Sequence, residues 1–297
     1  MMKKLYYILL SMRPNQWTKN LVLFAGLIFS RNLTNAEYFL KSLEAAVIFC
    51  LLSGVIYIIN DITDIEKDKL HESKKKRPIV AGKLRVQEAA FAAILGSAIG
   101  LILTALVGQS FVIISCIFFA FNLFYSFVLK KIVLLDVMSI SVSFILRAIA
   151  GVEALKGLDT SIELSPWLLI CTLFLSLFLA FCKRRYELVS LGEASRHRHA
   201  LAEYSTSLID QLVGITAAGS VLSYSIYTIW PDTVEKFGTT NLVYTIPLVL
   251  IGVMRYLYLV YSKEMGGSPT DHLLREKFLL IDVFAWILLV IAIFYVI

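Results

Sequence analysis

Asn60-Asp61-Ile62-Thr63-Asp64-Ile65-Glu66-Lys67-Asp68 closes a long apolar run and is followed by Lys74-Lys75-Lys76-Arg77-Pro78. If one helix runs through this stretch at about 100° per residue, Asp61, Asp64 and Asp68 fall within about 60° of one another, with Asn60 on the flank of the same face. Three carboxylates then look at one point. Hard oxygen ligands at a membrane–water boundary, beside a basic run, suit a Mg2+-chelated diphosphate, because the metal offsets both the carboxylate repulsion and the phosphate charge. Asn60, Asp61, Asp64 and Asp68 are therefore the expected metal ligands, and the three aspartates the expected catalytic residues. The blander alternative is a solvated helix end, but Lys67 and Lys69 fall elsewhere on the wheel and leave the aspartates a face of their own.

The elements that must position this cluster are apolar. Hydrophobic residues make up 58% of the 297-residue chain and charged residues 17%, and the mean hydropathy is +0.77. That balance describes a polytopic membrane protein. Windows of roughly 20 apolar residues give nine candidate spans, near 20–36, 39–59, 88–108, 110–129, 132–154, 165–182, 208–230, 242–262 and 278–297. Alternate connections, beginning with the N-terminal segment, hold 22 of the 28 Lys and Arg residues. By the positive-inside rule this puts the N-terminus and the acidic cluster on the cytoplasmic side of the plasma membrane. The net charge of +6 then reflects topology and contact with anionic membrane lipid, not nucleic acid.

Other features narrow the reading by absence. Met1 to Pro14 lacks a small-residue cleavage site and reads as an interfacial segment. Cys50, Cys116, Cys171 and Cys182 lie in or at the end of spans without metal-ligand spacing and read as packing residues. There is no P-loop, GxGxxG or HExxH, and no linker composition, so a single transmembrane catalytic domain over residues 1–297 is expected. His71, His197, His199 and His272 all fall in expected cytoplasmic loops, which leaves no histidine base within a span. Arg147, deep in the 132–154 span, needs an interior partner, for which Glu153 is the candidate; Arg255 is left without one. The oligomeric state is left open.

Several segments carry a family resemblance. Asn60-Asp61-x-x-Asp64-x-x-x-Asp68, followed by Arg77-Pro78 and Gly82, resembles the first signature of the UbiA superfamily of intramembrane prenyltransferases. Tyr125-Ser126, with Lys130 and Asp136, is similar to that superfamily's tyrosine-lysine motif, which helps hold substrate phosphates. The second acidic motif, D-x-x-Y-A-x-x-D in aromatic prenyltransferases, is replaced here by Lys183-Arg184-Arg185-Tyr186-Glu187-Leu188-Val189-Ser190. Lysine and serine stand where the aspartates would be, which argues against a two-metal mechanism and for direct anion binding by cations. Together with Arg13-Pro14-x-Gln16-Trp17-x-Lys19-Asn20 and Leu146-Arg147-Ala148-Ile149-Ala150-Gly151, this combination resembles the polyprenyl-phosphate phosphoribosyltransferases, from Arg13 to about Tyr204.

The resemblance implies an all-α, UbiA-like bundle of nine transmembrane helices. It also implies a reaction in which the phosphate of a polyprenyl phosphate attacks C1 of 5-phosphoribosyl diphosphate and releases diphosphate, with Mg2+ as cofactor. Gln16, Lys19, Asn60, Arg77, Tyr125, Ser126, Lys130, Lys183, Arg184 and Glu187 become the expected substrate-binding residues, with Glu187 orienting Lys183 and Arg184 or meeting ribose hydroxyls. Two other functions remain: prenyl transfer from a prenyl diphosphate to an aromatic or lipid acceptor, and transport of a phosphorylated lipid or solute. A transporter would show inverted repeats and spans broken at mid-depth, and the sequence shows neither, although Pro247 sits inside the eighth span.

Overall fold

Backbone in lipid must satisfy its own hydrogen bonds, and the chain answers with helices. The computed structural model describes residues 2–69, 74–191, 201, 203–263 and 276–295. In order, α1 is Met2–Ser11, α2 is Ala25–Phe29, α3 is Ala36–Thr63, α4 is Ile65–Lys69, α5 is Val86–Thr104, α6 is Gln109–Phe127 and α7 is Leu135–Lys156. There follow α8 (Pro166–Leu191), α9 (Thr206–Ile229), α10 (Pro231–Phe237), α11 (Ile246–Ser262) and α12 (Lys277–Tyr295).

Among the described residues, eight helices are long and apolar enough to cross a membrane, and they match the last eight expected spans. The span expected at 20–36 is different. Arg13 turns into left-handed backbone (φ 53), Pro14 follows at the first helical position, and Pro14–Phe24 coils as a 3-10 helix before the five-residue α2. Hydropathy registered the apolar side chains there but could not register the turn that shortens the helix. The α1 helix exposes Leu5, Tyr6, Leu9 and Leu10, the surface expected of an interfacial segment.

Packing divides the chain into two compact units. Unit 1 is Met1–Ile132 with Ser143–Leu164; unit 2 is Val133–Val142 with Ser165–Ile297. In unit 1, Asn35 caps α3 by accepting the Glu37 N–H at 3.0 Å, and α3 runs through the centre. It buries Phe49, Leu52, Val55 and Ile58, with the Phe49 ring tilted against those of Phe111 and Phe118 at centroid distances of 5.6 and 4.8 Å. The small residues Gly96 and Gly100 admit α5 against α3, since a Cβ at either would come within 2.7 Å of Val55 or Leu52.

In unit 2, α8, α9, α11 and α12 share a core of Phe178, Phe181, Ile209, Val213, Tyr256, Leu259 and Leu279. Pro247 lies in the first turn of α11, where a missing N–H costs nothing. Arg255 donates to Glu276 at 2.8 Å. Arg147 does not meet Glu153, which binds Lys156 at 2.8 Å. Six residues on a helix turn through about 600°, which puts the two side chains on different faces.

Candidate active site

Short polar side chains end α3. Thr63 donates its hydroxyl to the Asn60 carbonyl at 3.0 Å, a local bond that competes with helix propagation, and Asp64 becomes the C-cap. The chain restarts as α4, so the single continuous helix assumed from the sequence is interrupted at the middle aspartate. Asp61 and Asp68 nevertheless remain on one side, both buried, and the Arg77 guanidinium bridges them. Its Nη1 lies 3.1 Å from Asp61 Oδ1 and also donates to Asp68.

Arg13 donates to the same Asp61 oxygen from the other flank and lies 4.8 Å over the Tyr57 ring. Lys74 approaches Asp68 at 3.8 Å. Burial, and then the charge of Arg13, lower the pKa of Arg77 below the usual guanidinium value, which marks two cations crowded about one carboxylate. Asp64 points to another cation: Lys130 reaches its two oxygens at 2.9 and 2.8 Å.

The structure thus brings Asp61, Asp68 and Arg77 into one ion-pair network, adds to it Arg13, which sequence reasoning had left outside the site, and holds Asp64 on Lys130 as a separate pair. Among the described residues, no three His, Cys, Asp or Glu side chains stand close enough to hold a metal ion together; side-chain cations hold the carboxylates instead. Asn60 is half-buried beside them. Gln16 and Lys19 lie on the 3-10 segment, half-buried, with Lys19 beside the Tyr57 hydroxyl. Tyr125 is half-buried near the end of α6. Ser126 is fully buried and gives its hydroxyl to the Asn122 carbonyl at 2.7 Å, a bond within its own helix.

Unit 2 gathers the other expected residues. Arg184, on α8, donates through Nε to Asp136 at 2.7 Å and through Nη1 to Glu187 at 2.5 Å. The pairing of Arg184 with Glu187 is the one expected three residues apart on a helix; Lys183 is half-buried beside them. Asp136 also accepts the Tyr204 hydroxyl at 2.9 Å, while that oxygen accepts the Leu134 N–H at 2.8 Å. Leu134 has φ 65, so Tyr204 stabilises a left-handed turn just before α7. Burial and then the Asp136 charge raise the Tyr204 pKa above the ordinary phenol value, which keeps the proton it donates. Nothing local marked Tyr204, because its partner is 68 residues away. All four histidines and the 192–200 stretch lie outside the described residues.

Helices throughout the described residues, eight of them long apolar spans, and an Asp/Arg/Lys network where one of them ends define an integral multi-pass membrane protein, and comparison supplies its class. The profile of the UbiA prenyltransferase family matches residues 21–270, and the chain belongs to that family. Among solved structures, that of a UbiA homolog from Archaeoglobus fulgidus bound to GPP and Mg2+ superposes with a TM-score of 0.71 at 17% identity, over 98% of this chain and 100% of that one.

Closer relatives are more particular. The decaprenyl-phosphate phosphoribosyltransferase of Corynebacterium glutamicum is 32% identical over 294 residues, 96% of this chain and 86% of that protein. The enzyme of the same name from Mycolicibacterium smegmatis is 30% identical over 93% of this chain and 89% of its own.

Proposed function

We propose that this chain transfers 5-phosphoribose from 5-phosphoribosyl diphosphate to a polyprenyl phosphate, with the site on the cytoplasmic side of the plasma membrane. The observation that carries the choice of donor is the α8 motif. Lys183 and Ser190 stand where the aspartates of a second carboxylate motif would serve a prenyl diphosphate, and the neighbouring Arg184 is held in place by Asp136 and Glu187. The similarity to two phosphoribosyltransferases, over 96% and 93% of this chain, supports the same reading.

The first site fits a metal diphosphate by the chemistry of its donors. Asp61, Asp64 and Asp68, with Asn60 on the flank, offer only hard oxygens, and each aspartate is paired with a cation that a phosphate oxygen can claim in exchange. Mg2+ held by these residues would neutralise the leaving diphosphate. Arg13, Arg77 and Lys130, turning from carboxylate to phosphate, fix the donor and offset the charge that grows as the C1–O bond breaks. The electron pair of that bond leaves with diphosphate. A phosphate oxygen of the acceptor forms the new C1–O bond, and because the acceptor is already an anion it needs no general base. The isoprenoid remains in the bilayer, where its apolar chain is soluble.

One assay tests the reading. Purified protein with Mg2+, radiolabelled 5-phosphoribosyl diphosphate and a polyprenyl phosphate should pass label into the organic phase. Transfer of a prenyl group from prenyl diphosphate to an aromatic acid, with phosphoribosyl diphosphate neither reacting nor competing, would replace it by the prenyltransferase reading.

A further inference from the structure

Arg147 is buried in α7 at 6% exposure, a costly place for a cation in a membrane helix unless it faces the interior and is paired. Its partners are neutral oxygens. Nε donates to Asn20 Oδ1 at 2.9 Å, Nη1 to the Ser143 carbonyl and hydroxyl at 2.9 and 2.7 Å, and Nη2 to the Ser53 hydroxyl at 3.4 Å. The guanidinium lies 4.7 Å over the Phe118 ring. Asn20 is oriented in turn by its own amide, which reaches Cys50 Sγ at 3.2 Å.

Asn20 belongs to the 3-10 segment Pro14–Phe24, 11 residues long. Helices of this type rarely exceed three or four residues, because their hydrogen bonds are poorly aligned, so the segment needs support from outside. One turn beyond Arg147, on the same face of α7, a second contact supplies it: a Cβ at Gly151 would lie 2.1 Å from the Leu23 carbonyl oxygen, and one at Gly26 would lie 3.1 Å from the Gly151 backbone. The segment is therefore gripped at Asn20 and at Leu23–Gly26.

What the segment carries is the cationic flank of the site. Ser53, Tyr57 and Asp61 follow one another at intervals of four on α3, along one face. Opposite them stand Asn20, Lys19 and Arg13 in that order. We infer that Arg147, with Gly151, is a positioning residue of the donor site. It acts through Asn20 to hold Lys19 and Arg13 against Tyr57 and Asp61, and it does not touch the substrate. The inference rests on the proposed donor site for its effect on ligand binding, and on geometry alone for its effect on the segment.

The test uses the full chain in lipid nanodiscs. Arg147→Gln should raise hydrogen exchange of the 14–24 amides about tenfold or more while exchange across α5 stays unchanged. Gly151→Ala, which acts at the other contact, should do the same and decides the matter if Arg147→Gln fails to fold. In titrations with Mg2+ and inorganic diphosphate, Arg147→Gln should weaken binding about tenfold in the parent chain and less than about twofold in an Arg13→Ala/Lys19→Ala background, because the changes act along one route.

Unchanged exchange at 14–24 overturns the inference, as does an additive loss in the background lacking both cations; weaker binding without faster exchange would make Arg147 a direct ligand. If the parent chain does not bind Mg2+ and diphosphate, the proposed function falls, and the exchange result still decides the positioning role.

Discussion

Removing Arg77 should separate the structural from the chemical duty of the ion-pair network. Asp61 and Asp68 have side chains 1% and 5% exposed, and Arg77 donates to both. Truncating one partner of a buried pair costs about 3–5 kcal/mol, since the remaining charge is left without compensation. Asp61 keeps Arg13, whereas among the described residues Asp68 keeps Lys74 at 3.8 Å. The cost of Arg77→Met should therefore lie at the low end, about 3 kcal/mol. Titration with SDS in mixed micelles measures it. In Arg77→Met/Asp68→Leu the orphaned carboxylate is gone, and at least about 2 kcal/mol should return. Activity should not return, because the guanidinium proposed to meet the donor is still missing. A single variant within about 0.5 kcal/mol of the parent, or a double variant no more stable than the single, would refute the claim that Arg77 neutralises Asp68.

Asp64→Asn should leave the fold intact and abolish most transfer, with a raised Mg2+ requirement; parent-level turnover at low Mg2+ would contradict it. Lys183→Ala should raise the KM for a phosphorylated substrate by about tenfold or more, as loss of a charge-assisted contact of about 1.5–3 kcal/mol implies, without the change in Mg2+ dependence expected for Asp64→Asn. Tyr204→Phe removes the hydroxyl that joins Leu134 to Asp136, and SDS titration should show a loss of about 1 kcal/mol.

The eight long spans were legible because a lipid solvent demands about twenty apolar residues in a row, and that demand is local in sequence. What failed was local geometry that apolarity does not encode. Arg13 in left-handed backbone ahead of Pro14 turns the segment expected to be a first span into a 3-10 coil and a short α2. The aspartate wheel was legible in part. Period placed Asp61 and Asp68 together, and both accept from Arg77 although the helix breaks between them, while Asp64 at the break meets Lys130. Long-range partners were out of reach. Arg147 finds Asn20 across 127 residues and Tyr204 finds Asp136 across 68, and no spacing rule connects such pairs.

The pairing of every aspartate in the first motif with a cation bears on how such a site can exist at a membrane edge. Carboxylates left alone at low dielectric would take up protons or distort the helix ends that carry them. Arg13, Arg77 and Lys130 prevent this with charges that belong to the chain. On the proposed reading, an incoming metal diphosphate carries both signs and can satisfy both halves of each pair, cation to phosphate and carboxylate to metal. Much of the desolvation has then been met on folding, and binding re-pairs charges already in place. A site made of carboxylates alone would have to wait for its metal before it could be ordered. This one has its charges compensated beforehand, Asp61 and Asp68 by Arg77 from the neighbouring basic run, Asp61 also by Arg13 and Asp64 by Lys130.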